Sequence, residues 1–542
     1  MTATVDELTT ALSVAEVDAT STFEHDGILC AILSWTSLRD AGAAAMVATN
    51  WAAAVRSDGL LWRALFLREF GGFIEPAHAK AACKRCTLAI ARVGMPEVAT
   101  GSAASGVKPR AGAAAGVLGS YVAINGGATT GYNFARTFDV WDPSSRTFVQ
   151  CSHKDAPQQP FGQVLEELAD TEGVEISVAH VRDLSRRWQH SAVPTARGAL
   201  ILYGGKEADT HLTLSCVHMI VEMSNPWPAP ILGRRQTQKT INVWSTKLAP
   251  GSPPAPARCG HTACRAVVPG LPAAPVRDSS GVAASRPTGP PACMLVFAGE
   301  AQHPTSYRRG VMTNDLWALL DVDTATLHVT WAEVESSGAR PSARYCHSAE
   351  LLPPAANFGG GGGEDAPPPR AWLIFGGWNK HDGLPEPGEL GAAAPFNHAG
   401  AQAFFNDLHR LDLATLAWAA VETRGAVPRR RSQALAVATD DEQLLIVFGG
   451  ACHSEPEPGQ AYGDMVVDLD DVCLLHLPTA TWLPPRAVDP PTNRRQRGGL
   501  NTLVRHPATR SLHVFGGMNS EEGQDMPNFL STMTELVGVQ AD

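Results

Sequence analysis

The chain lacks long hydrophobic runs, an excess of basic charge and an amino-terminal address signal. No apolar stretch reaches the roughly 18 residues that a membrane-spanning helix requires. The formal net charge is −11, so there is no electrostatic footprint for nucleic acid. Acidic residues early in the chain, Asp6, Glu7, Glu16 and Asp18, argue against a secretory or organelle leader. These absences predict a protein of the cytoplasm, the nucleus or both, with neither nucleic acid nor membrane as a partner.

The sequence also lacks the patterns of a metal centre or a phosphate-binding loop. Cys83 and Cys86 form a C-x-x-C with no second pair at similar spacing, whereas structural zinc needs four ligands. The glycine run Gly359–Gly363 lies in a proline-rich stretch and opens no helix. Only six tyrosines are present, too few to suggest a copper site built from tyrosine and histidine. We therefore expect no metal, no cofactor and no catalytic residue.

What the chain does contain is a motif that occurs six times, an apolar run that ends in a glycine pair or its degenerate form. Each copy predicts a short buried strand stopped by glycine, which reaches backbone angles closed to other residues. The copies are Tyr121–Gly127, Leu200–Gly205, Leu295–Gly299, Trp372–Gly377, Leu444–Gly450 and Leu512–Gly517. A polar segment and a second predicted strand follow each copy, at Phe138–Trp141, Val217–Val221, Leu316–Leu319, Leu408–Leu411, Val472–Leu475 and Thr532–Leu536. The repeating unit is therefore a small antiparallel sheet.

Such a sheet cannot bury both faces alone, and radial closure into a propeller leaves only short, protected edges. Each glycine strand is preceded by a pair of residues: an arginine and, three residues later, a histidine or another residue. The pairs are Arg110 with Ala113, Arg187 with His190, Arg258 with His261, Arg344 with His347, Arg430 with Gln433 and Arg495 with Gly498. This pattern resembles the kelch repeat. The resemblance implies a mainly β protein with a six-bladed kelch-type β-propeller over residues 85–542.

The spacing of the copies exceeds the roughly 50 residues of an ordinary kelch unit. We therefore expect loop insertions in the Pro-, Gly- and Ala-rich stretches near 269–291, 353–369 and 382–400. The histidines His190, His261 and His347 recur at equal positions, so we expect them to bond neighbouring backbone within the repeats rather than converge on a metal.

The last copy ends without a fourth strand. The apolar segment Arg85–Val93, shortly before the first copy, is strand-like. We expect this segment to complete the sixth blade, so that the two ends of the propeller share one sheet. The alternative is a sixth blade of three strands.

The residues ahead of the propeller have helical rather than strand spacing. Ile28, Leu29, Ile32 and Leu33 repeat as one helix face. Ser37 and Asp40 then form a capping box, which satisfies the free amides at a helix start. A third short helix is predicted near Asp58.

The stretch Phe23–Phe70 resembles an F-box and is expected to form a small three-helix module. The matching residues are Ile32–Ser34, Ser37–Asp40, Val47 with Trp51, and Leu61–Trp62. Two features depart from the family: Glu24 and His25 replace the usual leucine-proline pair, and Ala48–Asn50 replaces a cysteine followed by a basic residue. Residues 1–22 are predicted to be disordered and residues 71–84 to be a linker, and we expect no light-sensing domain ahead of the F-box.

An F-box followed by kelch repeats resembles the F-box/kelch proteins, plant and algal ones in particular. The resemblance implies a non-catalytic substrate-recognition subunit of an SCF-type cullin-RING ubiquitin ligase. The F-box would dock an SKP-type adaptor, and through it a cullin, while the propeller captures the protein to be ubiquitinated. The alternative is a non-ligase interaction scaffold with a vestigial F-box.

The residues expected at the adaptor contact are apolar ones, some of which must form the core of the module itself: Ile28, Leu29, Ile32, Leu33, Leu38, Val47, Trp51, Leu61 and Trp62. The residues expected to bind substrate are the turn arginines, because arginine forks bind carboxylates and phosphates in bidentate fashion: Arg110, Arg187, Arg258, Arg344, Arg430 and Arg495. An acidic or phosphorylated segment is the guest that they would suit. The alternative is that these arginines pair with acidic residues inside the repeats.

Overall fold

The computed structural model describes Leu65, residues 97–100 and most of residues 107–535. Within that last range the undescribed residues are 130–132, 136–137, 150, 155–175, 180–185, 196–197, 208–209, 225–238, 269–291, 304–305, 324–326, 353–370, 380–403, 440–442, 454–465, 470, 484–501, 507–510 and 520–527. The predicted F-box module therefore lies outside the described residues, except for Leu65, which is helical and buried. The predicted disordered start, the linker and the three loop insertions lie outside them as well.

The described part of the chain is mainly β and forms six sheets arranged as the blades of a propeller. Blade 1 consists of β2 (Ala114–Leu118), β3 (Tyr121–Asn125), β6 (Phe138–Asp142) and β7 (Thr147–Val149), with a small hairpin of β4 (Ala128–Thr129) and β5 (Asn133–Phe134). Blade 2 consists of β11 (Ser191–Pro194), β12 (Leu200–Tyr203), β14 (Val217–Ser224) and β15 (Lys239–Ser245). Its outer edge is extended by β9 (Ile176–Ala179) and β8 (Cys151–Lys154), and β10 (Arg187–Trp188) pairs with β13 (Lys206–Glu207).

Blades 3 and 4 follow the same antiparallel order. Blade 3 consists of β18 (Thr262–Val267), β19 (Ala292–His303), β20 (Ser306–Asp323) and β21 (His328–Glu333), with β17 (Arg258–Cys259) also paired to β19. Blade 4 consists of β23 (Ser348–Leu352), β24 (Ala371–Phe375), β25 (Leu408–Asp412) and β26 (Ala417–Val421). The segment that leaves each preceding blade adds a two-residue parallel strand at the outer edge, β16 (Lys247–Leu248) on β21 and β22 (Ser337–Gly338) on β26.

Blade 5 consists of β28 (Leu435–Ala438), β29 (Leu444–Phe448), β32 (Val472–His476) and β33 (Thr481–Trp482), with a 3₁₀ turn at Leu477–Thr479. Its outer edge carries β27 (Arg424–Gly425), and β30 (Ala451–His453) pairs with β31 (Val466–Asp468). Blade 6 consists of β34 (Thr502–Arg505), β35 (Leu512–Phe515), β38 (Thr532–Glu535) and β1 (Glu97–Thr100), with a hairpin of β36 (Met518–Asn519) and β37 (Asn528–Phe529).

The hydrophobic core lies between adjacent blades, because the glycine strands are buried on both faces. Every residue of β24 and β29 is buried. Large tryptophans fill the spaces between sheets: Trp372 packs with blade 3 residues such as Phe297, while Trp482 packs against Phe375 of blade 4. Burial of side chains of this size stabilises the fold by about 1.5–3 kcal/mol each. Each blade is therefore held mainly by its neighbours.

The glycine pairs permit a close approach between each blade and the next. In blade 1, Gly126 and Gly127 have φ of 68° and 92°, which only glycine adopts at little cost. A Cβ on Gly126 would lie 2.6 Å from the carbonyl oxygen of Arg187 in blade 2. The amide of Gly127 donates a 2.8 Å hydrogen bond to that same oxygen. In blade 3, where the sequence has Ala298 instead of the first glycine, the alanine has a φ of 57°.

The ring closes between blades 6 and 1. Strand β1 pairs antiparallel with β38, Glu97 opposite Thr534 and Thr100 opposite Thr532. Gly517 of blade 6 donates its amide to the Arg110 carbonyl at 2.9 Å, repeating the link between other blades. This confirms that the two ends of the propeller share the last blade. The strand that does so begins at Glu97, however, and the predicted segment Arg85–Val93 lies outside the described residues.

Candidate partner-binding face

In blades 1 to 5 one turn arginine lies just ahead of the innermost strand, and it is buried in each. Their residue exposures are 0–1%: Arg110, Arg187, Arg258, Arg344 and Arg431. Each guanidinium donates a hydrogen bond to the carbonyl of the first residue in the glycine pair of its own blade. These bonds measure 2.8–3.1 Å and reach Gly126, Gly204, Ala298, Gly376 and Gly449. The arginines therefore hold the left-handed turn that ends each glycine strand.

Four of these arginines also pair with an aspartate of their own blade. Arg258 contacts both carboxylate oxygens of Asp315, at 3.0 and 2.8 Å. Arg344 binds Asp407 at 2.7 and 2.8 Å, Arg431 binds Asp471 at 2.6 and 2.8 Å, and Arg110 binds Asp139. Burial by itself would raise the pKa of Asp407, but the hydrogen bonds of Arg344 and His409 hold it well below its ordinary range.

The substrate-binding role predicted for Arg110, Arg187, Arg258 and Arg344 is therefore wrong. Their guanidinium groups lie inside the blades, where they bond their own turns. The alternative that the sequence left open, pairing with acidic residues inside the repeat, holds for Arg110, Arg258 and Arg344.

Arg430 differs from the other predicted arginines because its side chain is exposed. The buried position of blade 5 belongs to its neighbour Arg431, three residues ahead of Ala434, so the predicted register was wrong by one residue. In the part of the chain that the structure describes, Arg430 makes no ion pair. Arg495, predicted for blade 6, lies outside the described residues.

The exposed arginine borders a groove of about 450 Å³ between blades 4 and 5. The groove is lined by Phe404, Phe405, Asn406, Asp407 and Arg430. We call this surface the Arg430 groove. It combines two aromatic rings with one exposed positive charge.

The aromatic side of the Arg430 groove is fixed in place by further contacts. Trp378 stacks on Phe404, with ring centroids 5.6 Å apart and an angle of 10° between the planes. The Arg344 guanidinium lies 4.3 Å from the centroid of Phe405, a distance typical of a cation–π contact. Asn406 donates to the Pro428 carbonyl at 2.9 Å, which ties the groove to the turn that carries Arg430.

The repeated histidines lie at the mouth of the central channel. His190, His261 and His347 line a cavity of about 170 Å³ there. His261 and His347 bond hydroxyl side chains of the preceding blade, Ser191 at 2.9 Å and Thr262 at 2.7 Å. The prediction that they bond neighbouring backbone was wrong for these two residues, because the hydroxyl at the start of the innermost strand of the preceding blade lies within reach of the imidazole. It was wrong for His190 as well, since neither of its ring nitrogens has a hydrogen-bond partner among the described residues.

Backbone hydrogen bonds run around the same channel mouth from blade to blade. In each bond a backbone amide donates to a backbone carbonyl of the preceding blade, at 2.7–2.9 Å. The donor and acceptor residues are Gln189 and Gly112, Gly260 and Gln189, Cys346 and Gly260, and Gln433 and Cys346. All five residues have φ between 52° and 65°. This chain of bonds fixes the spacing of blades 1 to 5 around the axis.

Sequence reasoning missed Arg431 and the aromatic residues Trp378, Phe404 and Phe405. A signal for Arg431 was present: in blades 3 to 5 an aspartate directly precedes the second predicted strand of the repeat, at Asp315, Asp407 and Asp471. The aromatic residues flank an undescribed segment, and no periodic pattern marks them.

The adaptor-binding residues predicted from the sequence, from Ile28 to Trp62, all lie outside the described residues. Among the residues that are described, no group of three or more His, Cys, Asp or Glu side chains could hold a metal ion. Within the same residues, the structure contains no helix long and apolar enough to span a membrane.

The fold and its turns define the class of this protein as a six-bladed β-propeller, and comparisons with known proteins add local similarity. No protein-family model matches the chain. It is 33% identical over 123 residues to acyl-CoA-binding domain-containing protein 4 of Arabidopsis thaliana, covering 22% of this chain and 16% of that protein. It is 28% identical over 134 residues to acyl-CoA-binding domain-containing protein 5 of the same plant, covering 24% and 18%. The matches thus span less than a fifth of either relative. The solved structure of YjhT resembles it with a TM-score of 0.40 and 13% identity, over 82% of this chain and 96% of that one.

Proposed function

We propose that this protein is the substrate-recognition subunit of an SCF-type cullin-RING ubiquitin ligase. The propeller captures the protein to be ubiquitinated, and the F-box-like residues 23–70 dock the SKP-type adaptor. The observation that carries the capture half of the proposal is the Arg430 groove, an exposed cation beside an aromatic surface on a rigid propeller face. The docking half rests on the F-box-like sequence.

The chemistry of the Arg430 groove suits an acidic or phosphorylated guest with a neighbouring apolar side chain. Arg430 has no acidic partner among the described residues, so its charge is available to a ligand. An arginine fork binds a carboxylate or phosphate through two parallel hydrogen bonds. Phe405, which is partly exposed, offers apolar area for the adjacent side chain, while Asp407 is already engaged by Arg344.

In this proposal the chain itself performs no chemistry. Its contribution is proximity, because a substrate held beside the charged ubiquitin carrier reacts at a raised effective concentration. The inter-blade hydrogen bonds and the buried arginines keep the capture face rigid, which lowers the entropy cost of binding.

The second candidate is an interaction scaffold that binds partners through the propeller without joining a ligase. Glu24 and His25, in place of the leucine-proline pair that opens an F-box, favour this candidate. Both candidates use the propeller in the same way, and adaptor binding distinguishes them.

Replacing Leu33 and Trp51 with alanine is expected to abolish co-purification of the SKP-type adaptor and cullin while the propeller remains folded. Truncation of large apolar side chains costs about 2–5 kcal/mol each, which a module of some 48 residues cannot absorb. The measurement is adaptor recovery by affinity capture, with near-UV circular dichroism as the check on the propeller. The matched control is Arg430→Glu, which should retain the adaptor. If the wild-type chain recovers no adaptor, the scaffold candidate replaces the ligase.

Replacing Arg430 with glutamate is expected to weaken capture of acidic or phosphorylated peptides at least tenfold, because like charges in a partly desolvated contact cost several kcal/mol. Binding by the wild type should also weaken as salt rises, since an exposed contact is screened. Fluorescence anisotropy with a panel of such peptides measures both effects. The matched control is Arg424→Glu, an exposed arginine on the outer strand β27 that should leave binding unchanged. Equal affinities for wild type and Arg430→Glu would exclude the groove.

A further inference from the structure

Blade 2 lacks the carboxylate that pairs with the buried arginine elsewhere. In blades 3 to 5 an aspartate directly precedes the third-strand residue that lies opposite Phe297, Phe375 or Phe448 of the glycine strand. These aspartates are Asp315, Asp407 and Asp471. The strand registers align these positions: Val217 lies opposite Tyr203 in blade 2, as Leu408 lies opposite Phe375 in blade 4. The residue before Val217 is Cys216, which therefore occupies the position of Asp407.

Blade 2 also lacks an acidic residue two positions after Cys216. In blade 1 the carboxylate comes from Asp139, which lies within the third strand. The equivalent residue in blade 2 is His218. Among the five described turn arginines, Arg187 is thus the one that makes no ion pair with a carboxylate of the described chain.

Arg187 is nevertheless fully buried, with 0% exposure. Its guanidinium lies 3.1 Å from the Gly204 carbonyl, 3.2 Å from the Cys216 sulfur and 3.2 Å from Nδ1 of His218. Its Nε has no hydrogen-bond partner. A buried guanidinium is costly to hold without an anion, so this blade has a positive site that an anion at the position of Cys216 would complete.

Cys216 is a half-buried residue, whereas Cys473 is buried. Cys473 of blade 5 provides the contrast. Its sulfur lies 3.7 Å from Arg431, but that arginine already binds Asp471, and the same carboxylate lies 3.3 Å from the thiol. Burial, together with Asp471, raises the pKa of Cys473 to about 12. An anion on Cys473 would therefore be repelled, whereas one on Cys216 would be paired.

We propose that Cys216 is a site of oxidation by hydrogen peroxide, and that its sulfinate replaces the missing carboxylate of blade 2. In the first step the sulfur attacks the peroxide oxygen, an S–O bond forms and the O–O bond breaks. The departing hydroxide takes the thiol proton and leaves as water, which gives the sulfenic acid. A second peroxide adds another oxygen in the same way, releases a second water and gives the sulfinic acid, which loses its proton to become the anion.

The product matches the geometry of the other blades. A sulfinate carries two oxygens on one centre, like a carboxylate, and the paired N–H groups of an arginine bind such groups in bidentate fashion. Cys216 also lies at the blade end that in blade 4 carries Asp407 of the Arg430 groove. Oxidation therefore adds a negative charge to the predicted capture face without disturbing the groove itself. The inference stands whether or not the chain belongs to a ligase.

The test is graded treatment of the full-length protein with hydrogen peroxide, followed by peptide mass spectrometry of Cys216 and Cys473. We expect Cys216 to gain two oxygen atoms at a peroxide concentration at least about tenfold lower than Cys473. Cys216 is the more exposed residue and its sulfur lies 3.2 Å from an arginine that pairs with no carboxylate of the described chain, whereas Asp471 lies 3.3 Å from the Cys473 sulfur. Equal oxidation of the two residues, or preferential oxidation of Cys473, would overturn the proposal.

Melting temperature provides a second readout, which tests the pairing with Arg187. Oxidation should raise the melting temperature of the wild type relative to equally treated Cys216→Ser by about 1–3 °C. Cys216→Asp, which installs the aspartate of blades 3 to 5, should show a similar rise without peroxide. If oxidised wild type melts at or below oxidised Cys216→Ser while Cys216→Asp is stabilised, the sulfinate does not pair with Arg187. If the melting temperature of Cys216→Asp is no higher than that of untreated wild type, an anion beside Arg187 does not stabilise blade 2 and the proposal is wrong.

Discussion

Replacing Arg258 with methionine is expected to lower the free energy of unfolding by about 3–5 kcal/mol, the usual cost of removing one partner of a buried ion pair. The Arg258 side chain is fully buried, and it bonds the Ala298 carbonyl at 2.8 Å and both oxygens of Asp315. Methionine fills similar space but removes the arginine donors of the Ala298 carbonyl and of the carboxylate, which keeps the 2.7 Å hydrogen bond from Nε1 of Trp317. Urea denaturation followed by tryptophan fluorescence measures the loss.

Two matched variants identify the source of that loss. Arg187→Met also removes a fully buried guanidinium and its bond to a glycine-pair carbonyl, but it leaves no carboxylate unpaired, so we expect a clearly smaller cost. Arg340→Met changes an exposed arginine that bonds Ser336, and should stay within about 0.5 kcal/mol of wild type. If Arg258→Met and Arg187→Met cost the same, the Asp315 pair adds nothing beyond the bond to the turn.

The sequence allowed the blade architecture to be predicted because its signals are local. A buried strand that ends in one or two glycines is a pattern of five to seven neighbouring residues, and it occurs once in each blade. The structure places a strand at every copy, including Leu295–Gly299, where Ala298 adopts the left-handed angle of the missing glycine. The insertions between copies do not obscure such a signal, since they lie outside it.

The environment of the arginines could not be predicted because their partners are distant in sequence. Asp315 lies 57 residues after Arg258, and Asp407 lies 63 residues after Arg344, across insertions of different length. Residue type and turn position alone are equally compatible with an exposed ligand contact and a buried ion pair. In the triplet Arg429–Arg431, the spacing to the next small residue left the register ambiguous by one position.

The closing strand shows a related difficulty at the edge of a sheet. Arg85–Val93 has the stronger apolar pattern, whereas Glu97–Thr100 reads Glu-Val-Ala-Thr. The outermost strand of a blade is held by backbone hydrogen bonds to β38, which any residue with an amide can make. The hydrophobic pattern of the sequence therefore identifies inner strands well and outer strands poorly. The Arg430 groove is formed by side chains from two blades, so no local sequence pattern predicts it.

Acidification from about pH 6.5 to pH 5 is expected to destabilise the propeller. Burial, followed by the charge of the neighbouring arginine, lowers the pKa of His190, His261 and His347, the last to about 3. An unfolded histidine titrates near pH 6.5. Below that pH the histidines bind protons in the unfolded chain but not in the folded chain, so the free energy of unfolding falls as pH falls. His347 alone should account for about 1.6 kcal/mol between those two pH values.

The aspartates of the buried pairs also lose stability in acid, but in a lower window. The pKa values of Asp315, Asp407 and Asp471 are all lowered in the folded state, because hydrogen bonds from the arginines outweigh burial. Their contribution is complete above about pH 4, the unfolded value, and is lost only below it. Destabilisation between pH 6.5 and 5 therefore reports the histidines.

The pH effect can be assigned with one variant and one control. His347→Gln keeps an amide within reach of the Thr262 hydroxyl, which His347 bonds at 2.7 Å, but cannot titrate. Its free energy of unfolding should fall less steeply with pH than that of wild type, by about 1.4 kcal/mol per pH unit below pH 6.5. His211→Asn changes an exposed histidine at a φ of 58° that asparagine tolerates, and should keep the full wild-type slope. Denaturation curves at closely spaced pH values measure these slopes. Identical slopes for wild type and His347→Gln would show that His347 binds its proton as readily in the folded protein as in the unfolded chain.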